Sequence, residues 1–436
     1  MDRPAATRSS RDRLEACLAR IEDPAGEGKR AFTKLYTEQA RAAADAADRR
    51  AQFGQALGPL DGRIVSIKDL FDMPGEATTA GSKLRRDAAP AVTEAPAIAR
   101  LRAAGAVIVG KTNMTEFAFS GVGINPHYGT PGNPADRSCI PGGSSSGGAV
   151  SVADGMAEIT IGSDTGGSTR IPAALCGIVG LKPSQSRVPT AGAFPLSYAL
   201  DSIGPMAGSV ADCALADAVM AGETVAPLMP APLAGLRLGI PQGLLMENME
   251  TPVAAAFDAA IKSLGRHGVA VTDHALPQLA DMLAVNAKAG FAATEAFYIH
   301  RDAMEQRPGE FDTFVRNRIE RGRNVTAADY ISMQRRRAEL IAAMDQHLAD
   351  LDALILPTSP IVARKIADLA GDEAAFTAAN ALLLRNTSVA NFFDLCAISL
   401  PLPVTGLPVG LMLVARNGQD LRLLRLAAAM EAAISG

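Results

Sequence analysis

The chain has 436 residues, of which 48% are hydrophobic and 20% charged, and it contains 40 glycines and 27 prolines. This composition suffices for a large hydrophobic core and excludes intrinsic disorder and fibrous repeats. The 42 Lys and Arg residues nearly balance the 46 Asp and Glu residues, so a net charge of −4 gives no electrostatic basis for binding nucleic acid or an anionic membrane.

The N-terminal part of the chain predicts helices followed by a buried strand. Leu14, Leu18 and Ile21 recur at helical spacing, and the alanine-rich residues 40–51 form helices well, so we expect residues 1–58 to be helical. The apolar, β-rich segment 63–68 then predicts a short strand that ends at Lys68. A helix over 95–104 leads into a second predicted strand at 106–109.

Two segments rich in glycine and serine flank a third predicted strand. The first covers 121–148 and includes the run Gly-Gly-Ser-Ser-Ser-Gly-Gly at 142–148. The strand covers 158–161, and the second loop covers 162–170. A single run of this kind resembles a flexible linker, but two runs about a strand predict loops that carry polar groups.

Strands and helices alternate in the second half of the chain. This alternation predicts one α/β domain over residues 1–436, in which helices cover both faces of a central mixed, mostly parallel sheet. Within it we expect a core at 60–215 and a helix-rich segment at 280–351 that caps a site. The predicted strands are 236–240, 269–272, 353–356 and 409–414, and the predicted helices are 252–267, 327–351 and 421–434.

Cysteine and histidine usage indicates a protein of a reducing compartment without a metal site. The five cysteines are odd in number, lie far apart and include no C-x-x-C pair. The five histidines include no H-E-x-x-H motif, so we expect no metal and no other cofactor. No apolar run reaches the roughly 20 residues of a membrane helix. We therefore expect a soluble cytoplasmic protein.

Two patterns match known site motifs but have unsuitable local structure. Residues 105–112 fit the P-loop formula, yet 106–109 predict a strand where phosphate binding requires a loop, so we reject nucleotide binding. Residues 143–147 fit the G-x-S-x-G nucleophile elbow, but they follow a loop instead of a strand and no histidine partner stands out.

The second glycine-rich loop has the composition of an oxyanion-binding loop. Because glycine has no Cβ, the backbone N–H groups of 165–168 can point into one space and hold a developing oxyanion. Ser168 is then a candidate nucleophile. Lys68, at the end of an apolar strand, is a candidate base because burial lowers the pKa of an amine. The alternative for Lys68 is a strand-end ion pair with Asp69 or Asp72.

Lys68 and the two loops together resemble the amidase signature family. The loop segments that carry the resemblance are Pro141–Ser145 and Gly162–Pro172, and it runs from about residue 60 to the C terminus. It implies the amidase signature fold and hydrolysis of the C–N bond of a small carboxylic amide through a covalent acyl-enzyme. Further matching stretches are Gly110–Phe117, Cys176–Pro183, Leu200–Pro205 and Leu407–Leu411.

The resemblance also implies a Ser–cis-Ser–Lys triad. It makes Lys68 the base, Ser168 the nucleophile and Ser144, after a cis peptide bond from Gly143, the bridging serine. Ser145 and Ser146 are the competing choices for the bridge, and we expect Ser145 to support the site. The residues expected to bind the oxyanion through their backbone N–H groups are Thr165, Gly166, Gly167 and Ser168.

Other residues near these loops are candidates for support and for substrate binding. We expect Asp164 and Arg170 to brace the loop, with exposed surface charges as the equally weighted alternative. The residues expected in a substrate pocket are Phe119, Ile171, Phe194 and Tyr198. Arg316, Arg318 or Arg385 could receive a substrate carboxylate, although a solvated charge is the simpler interpretation of each.

Several activities remain as alternatives to a free-standing amidase. An esterase can use the same triad. A glutaminase-type subunit of a tRNA-dependent amidotransferase usually carries Gln where this chain has Ile171. A non-enzymatic binding protein would tend to lose Lys68, Ser144 or Ser168. The expected partner is a small amide, and homodimers are common in the family.

Overall fold

The computed structural model describes residues 8–435. Residues 1–7 of the predicted N-terminal helices and residue 436 at the end of the predicted domain lie outside the described residues. The strands are β1 (Phe32–Leu35), β2 (Ile64–Lys68), β3 (Val107–Thr112), β4 (Ile159–Asp164), β5 (Val179–Lys182), β6 (Ser202–Ala207), β7 (Arg237–Pro241), β8 (Ala270–His274), β9 (Ala353–Pro357), β10 (Cys396–Pro401) and β11 (Gly410–Ala415).

Helices lie between the strands throughout the described chain. None of them within residues 8–435 has both the length and the apolar character needed to cross a bilayer. They are α1 (Ser10–Glu22), α2 (Gly28–Ala31), α3 (Thr37–Gln52), α4 (Pro96–Ala103), α5 (Ser146–Ala153), α6 (Arg170–Cys176), α7 (Val210–Ala221), α8 (Thr251–Arg266), α9 (Gln278–Asn286), α10 (Gly290–Gln306), α11 (Thr313–Glu320), α12 (Ala327–His347), α13 (Ile366–Leu369), α14 (Glu373–Phe392) and α15 (Asp420–Ser435).

The strands form one mixed sheet in the order β1-β3-β2-β4-β6-β5-β10-β11-β9-β7-β8. The predicted α/β class and mixed sheet are confirmed. The prediction of a mostly parallel sheet was wrong, because six of the ten neighbouring pairs are antiparallel. Most of the antiparallel pairs involve β5, β6 and β10, which the sequence analysis did not assign. The connection from β10 to β11 is too short for the crossover that a parallel pair needs.

Two further segments differ from their predicted structure. Residues 1–58 were predicted as helices, but Phe32–Leu35 form the edge strand β1, antiparallel to β3. The predicted strand 106–109 extends to Thr112, so the Gly-Lys-Thr end of the P-loop-like pattern lies inside β3 and is buried. A buried strand cannot turn its N–H groups towards a phosphate, which supports the rejection of nucleotide binding.

The alternation of side chains along β2 directs Lys68 to one face of the sheet. Val65 and Ile67 belong to the hydrophobic core on one side, and Ile64 belongs to the core on the other side, where α5 packs. Ser66 lies on the α5 side too, since its hydroxyl is 3.0 Å from that of Ser151 in α5. Successive side chains point to opposite faces, so Lys68 projects towards the N-terminal end of α5.

Helices cover both faces of the sheet, as predicted. Ala149 and Val150 of α5 belong to the same core as Ile64, whereas Val210 and Cys213 of α7 belong to the core on the opposite face. The segment predicted as helix-rich contains α9 to α12. Its role as a cap over a site stays a prediction.

The close approach of β5 and β6 depends on Gly204. A Cβ at this position would lie 2.0 Å from the carbonyl oxygen of Leu181, which is backbone and cannot move alone. We expect Gly204→Ala to lower the free energy of unfolding by about 2 kcal/mol, as overpacking of a core does. Urea denaturation measures the change. Gly208→Ala is the control, since nothing lies within 4 Å of its Cβ, and equal stability of the two variants would contradict the prediction.

Candidate active site

The amine of Lys68 is enclosed at the end of β2. The side chain is fully buried, and Nζ donates hydrogen bonds to Ser144 Oγ at 2.7 Å and to Ser163 Oγ at 2.9 Å. Burial lowers the pKa of Lys68 to about 7, although the negative charges of Asp201 and Asp164 act in the opposite direction. The amine is therefore largely unprotonated above pH 7 and can accept a proton.

The alternative interpretation of Lys68, an ion pair at the strand end, does not match the contacts of its neighbours. The carboxylate of Asp69 lies 3.7 Å from Lys111 Nζ and accepts a hydrogen bond from Thr79. Asp72 accepts a hydrogen bond from Thr78. Among the described residues, no carboxylate forms an ion pair with Lys68.

Of the three consecutive serines, Ser144 is the one that contacts Lys68. The peptide bond between Gly143 and Ser144 is cis, as the resemblance implied. The carbonyl of Ser144 accepts the N–H of Thr115 at 3.0 Å. Ser145 is the cap residue before α5 and its hydroxyl contacts the carbonyl of Ser163 at 3.5 Å, while Ser146 Oγ has no partner in the described chain.

Asp164, the last residue of β4, fixes the loop that follows it. Its carboxylate accepts the N–H groups of Gly167 at 2.8 Å and Thr169 at 3.1 Å, together with the Thr169 hydroxyl at 2.9 Å. The side chain has no exposed surface. Since Ser168 lies between two residues that are held in this way, its backbone position is fixed.

Arg170 neutralises Asp164 inside the protein. Both side chains are fully buried, and the guanidinium donates two hydrogen bonds to the carboxylate, at 2.9 and 3.1 Å. Burial alone would raise the pKa of Asp164, but the charge and hydrogen bonds of Arg170 hold it below its usual value. The interpretation of these two residues as exposed surface charges was wrong. Arg170 also contacts α14 through the carbonyl of Thr387 and the amide oxygen of Asn391.

Three of the four N–H groups expected to bind an oxyanion are available. In the part of the chain that the structure describes, those of Thr165, Gly166 and Ser168 have no acceptor. The N–H of Gly167 is bonded to Asp164 instead. The expectation for Gly167 is corrected accordingly, because a glycine that anchors the loop to a buried carboxylate cannot also donate to a ligand.

The side chain of Ser168 is not hydrogen-bonded to Ser144 or Lys68. It is 4% exposed and forms no hydrogen bond with Ser144 or any other described residue. The structure thus contains the link from Lys68 to Ser144, while the link from Ser144 to Ser168 that the resemblance implies is not formed.

The residues predicted to line a substrate pocket have different environments. Ile171 is fully buried against the loop, since its Cδ1 lies 2.7 Å from the position a Cβ of Gly167 would take. Phe119 is buried and Phe194 is half-buried, but Tyr198 is 63% exposed. Exposure of this extent does not fit a wall of an enclosed pocket.

An aromatic cluster that the sequence analysis did not identify lies beyond the end of β2. The ring of Phe117 lies 4.0 Å from His300 and 5.7 Å from both Phe194 and Phe311. Burial lowers the pKa of His300 to about 3, so its imidazole is neutral. Phe194 is joined to the segment just after β2, because its N–H donates to the carbonyl of Leu70 at 2.8 Å.

The three candidate carboxylate-binding arginines also differ. Arg318 places its guanidinium 4.6 Å from the centre of the Phe119 ring and donates to the Phe119 carbonyl at 3.0 Å. Arg385 donates to the backbone carbonyls of Glu247 and Leu245. The structure therefore brings only Arg318 of these three against a predicted pocket residue. The third, Arg316, contacts the carbonyl of Pro308 at the surface.

Sequence reasoning missed three further side chains around the loop. Ser163 binds Lys68 directly, and Asp201 accepts the Thr165 hydroxyl at 2.5 Å. Both lie in stretches that carried the family resemblance, so that resemblance was an available signal. Asn391, which donates to Asp164 at 2.9 Å, lies in a helix with no such signal. Within residues 8–435, no group of three His, Cys, Asp or Glu side chains is arranged to hold a metal ion.

Comparison with known proteins gives matches that cover nearly the whole chain. The sequence model of the Amidase family matches residues 12–424. The 2-amino-5-chloromuconic acid deaminase of Comamonas testosteroni is 37% identical over 91% of this chain and 87% of its own length. One glutamyl-tRNA(Gln) amidotransferase subunit, from Chloroflexus aggregans, is 40% identical over 94% of this chain and 90% of its own length.

Two further similarities concern substrate and fold. The AtzE subunit of the 1-carboxybiuret hydrolase of a Pseudomonas species, strain ADP, is 35% identical over 96% of this chain and 93% of its own length. A crystal structure of an amidase superimposes with a TM-score of 0.86 and 34% identity, covering 98% of this chain and 96% of the other.

Proposed function

The chain belongs to the Amidase family and is a hydrolase of amide C–N bonds, and we propose that it cleaves them with Lys68, Ser144 and Ser168. One observation carries this proposal. A buried amine whose pKa lies near 7 donates a hydrogen bond to the Ser144 hydroxyl, next to a fixed loop that has free N–H groups. These are a base, a proton carrier and an anion site in one place.

The reaction begins with two proton transfers and one bond formation. Neutral Lys68 takes the proton of Ser144, which takes the proton of Ser168 while Ser168 Oγ attacks the amide carbonyl carbon. This step requires the Ser168 side chain to turn towards Ser144, because their hydroxyls are not hydrogen-bonded in the structure. The product of the attack is a tetrahedral intermediate, and Lys68 has become an ammonium.

The remaining steps return the enzyme to its starting state. The oxyanion of the intermediate accepts the N–H groups of Thr165, Gly166 and Ser168. The proton held by Lys68 passes through Ser144 to the leaving nitrogen as the C–N bond breaks. Water then gives a proton through Ser144 to Lys68 and attacks the acyl carbon. As the ester C–O bond breaks, this proton returns through Ser144 to Ser168 Oγ, and the carboxylic acid is released.

The surroundings of Arg318 favour an amide whose acyl part carries a carboxylate. The guanidinium is partly buried, stacks on Phe119, donates to a backbone carbonyl and has no carboxylate within ion-pair distance among the described residues. Burial lowers the pKa of Arg318 to about 10, which still leaves it charged at neutral pH. A substrate carboxylate would supply the missing anion. The names of two relatives, a 2-amino-5-chloromuconic acid deaminase and a 1-carboxybiuret hydrolase, also refer to carboxylic acids.

A second candidate is a glutaminase-type activity, which the similarity to the glutamyl-tRNA(Gln) amidotransferase favours. Glutamine also has a carboxylate that Arg318 can bind. Ile171, buried beside the loop, argues against it, because an apolar side chain cannot donate to a polar substrate. Glutamine hydrolysis by the isolated protein is the discriminating assay, and paired amide and ester substrates test the esterase alternative.

Location and assembly are proposals of the same kind. All five cysteines are buried free thiols, which agrees with a cytoplasmic protein. We also propose a homodimer that takes a small amide as its substrate.

We expect Ser168→Ala to lower kcat at least about a thousandfold without changing the fold, because it removes the nucleophile. Lys68→Ala should be nearly inactive, and Ser144→Ala severely impaired. Amide hydrolysis and circular dichroism measure the two effects. Ser263→Ala on the distant helix α8 is the control. If Ser168→Ala kept a tenth of the activity, the assignment of the nucleophile would be wrong.

The rate should fall on the acid side as Lys68 becomes protonated. Since burial lowers the pKa of Lys68 to about 7, kcat/KM should decrease about tenfold for each unit of pH below that value. A profile measured from about pH 5 to about pH 9 checks this. A flat profile would exclude a lysine base.

We expect Arg318→Met to raise the KM of a carboxylated amide such as malonamate by about 10- to 100-fold, because the substrate carboxylate loses a charge-assisted hydrogen bond. The kcat/KM of a neutral amide of similar size should change less than about threefold. Steady-state kinetics with both substrates measure the difference. Arg316→Met is the matched control, and equal losses on both substrates would contradict a carboxylate site.

A further inference from the structure

Asp201 lies next to residues 165–168, called the oxyanion loop below, because of the register between β4 and β6. These strands are antiparallel, and Asp164 is paired with Ser202. Asp201 precedes Ser202, so it faces Thr165, the first residue after β4. The sheet therefore places a carboxylate beside the loop that ends at Ser168.

The two oxygens of Asp201 bind two different segments. Oδ1 accepts the hydroxyl of Thr165 at 2.5 Å. Oδ2 accepts the N–H groups of Leu196 at 2.9 Å and Ser197 at 3.1 Å. The carboxylate thus ties the start of the oxyanion loop to the turn that leads into β6.

Asp201 lies close to Lys68 along the sheet, because Ser163, which binds Lys68, is paired with Ile203 two residues after Asp201, and the charge of Asp201 acts on the amine. Asp164 on β4 also faces Lys68, but the guanidinium of Arg170 neutralises it. Among the described residues, Asp201 has no ion-pair partner, and the third nearby acidic group, Glu295 on α10, adds a further negative charge. Glu295 itself accepts hydrogen bonds from Ser197, Ala199 and Tyr330.

We propose that Asp201 is a positioning residue of the active site, which holds the oxyanion loop through Thr165 and supplies the negative charge that Lys68 faces. The proposal rests on the proposed function, since it assigns Asp201 a role towards the base and the loop of that reaction. Asp201 does not touch the reacting atoms and acts through its two neighbours.

Removal of the charge of Asp201 should change the pKa of Lys68 in one direction, which can be measured. Burial lowers the pKa of Lys68, and the charge of Asp201 is the largest opposing influence. Burial raises the pKa of Asp201 to about 6, so it is ionised at neutral pH. Removal of its charge leaves burial less opposed, and the pKa of Lys68 then falls further.

The test compares the pH profile of kcat/KM for the wild type, Asp201→Asn and Thr165→Val. Asp201→Asn removes the charge and keeps the size, and we expect its acid limb to move about one pH unit lower. Thr165→Val removes the hydrogen bond and keeps the carboxylate. Its kcat at about pH 9, where a carboxylate is ionised, should fall about tenfold or more, because the loop is less well held. Asp302→Asn, at the surface of α10, is the matched control.

The outcomes separate this proposal from the proposed function. An active wild type with an inactive Ser168→Ala establishes the reaction by itself. In that case, an acid limb of Asp201→Asn that stays in place or moves higher overturns the role of the charge. A kcat of Thr165→Val equal to that of the wild type overturns the role of the hydrogen bond. If thermal unfolding shows that Asp201→Asn does not fold, the Thr165→Val result decides alone.

Discussion

A lysine amine held away from water is the constraint on which the site depends. An ammonium ion in the core of a protein is costly, so burial at the end of β2 favours the neutral form of Lys68. The two hydroxyls of Ser144 and Ser163 accept its hydrogens without adding charge. The same side chain would be an ordinary cation at the surface, where it could not serve as a base near neutral pH.

The nearby ion pair of Asp164 and Arg170 differs from the neutral amine, because it keeps two full charges in the core. Each is fully buried, and the hydrogen-bonding groups of both are used by the loop, by α14 and by each other. Loss of either partner would leave an unpaired buried charge. This pair therefore gives the loop a rigid attachment, while the neutral amine beside it is free to exchange a proton.

The sequence predicted the elements with strong periodicity and the residues with a distinctive pattern. The predicted strand at 63–68 and the glycine-rich loop at 162–170 identified Lys68 and Ser168 as candidates, whereas the contact of Lys68 with Ser144 was implied only by the family resemblance. The strands β5, β6 and β10 were missed, because they are four to six residues long, each contains a Gly, Pro or Ser, and their structure depends on pairing with neighbouring strands. Asn391 could not be identified, since its contact with Asp164 joins residues 227 positions apart.

The separation of 227 positions along the chain between Asp164 and Asn391 has a consequence for the synthesis of the protein on the ribosome. A nascent chain that has emerged only as far as β6 already contains Lys68, Ser144 and Ser168. It lacks α14, so Thr387 and Asn391 are not yet present to receive the guanidinium of Arg170. Arg170 cannot make these two contacts until α14 has left the exit tunnel, when most of the polypeptide has been synthesised.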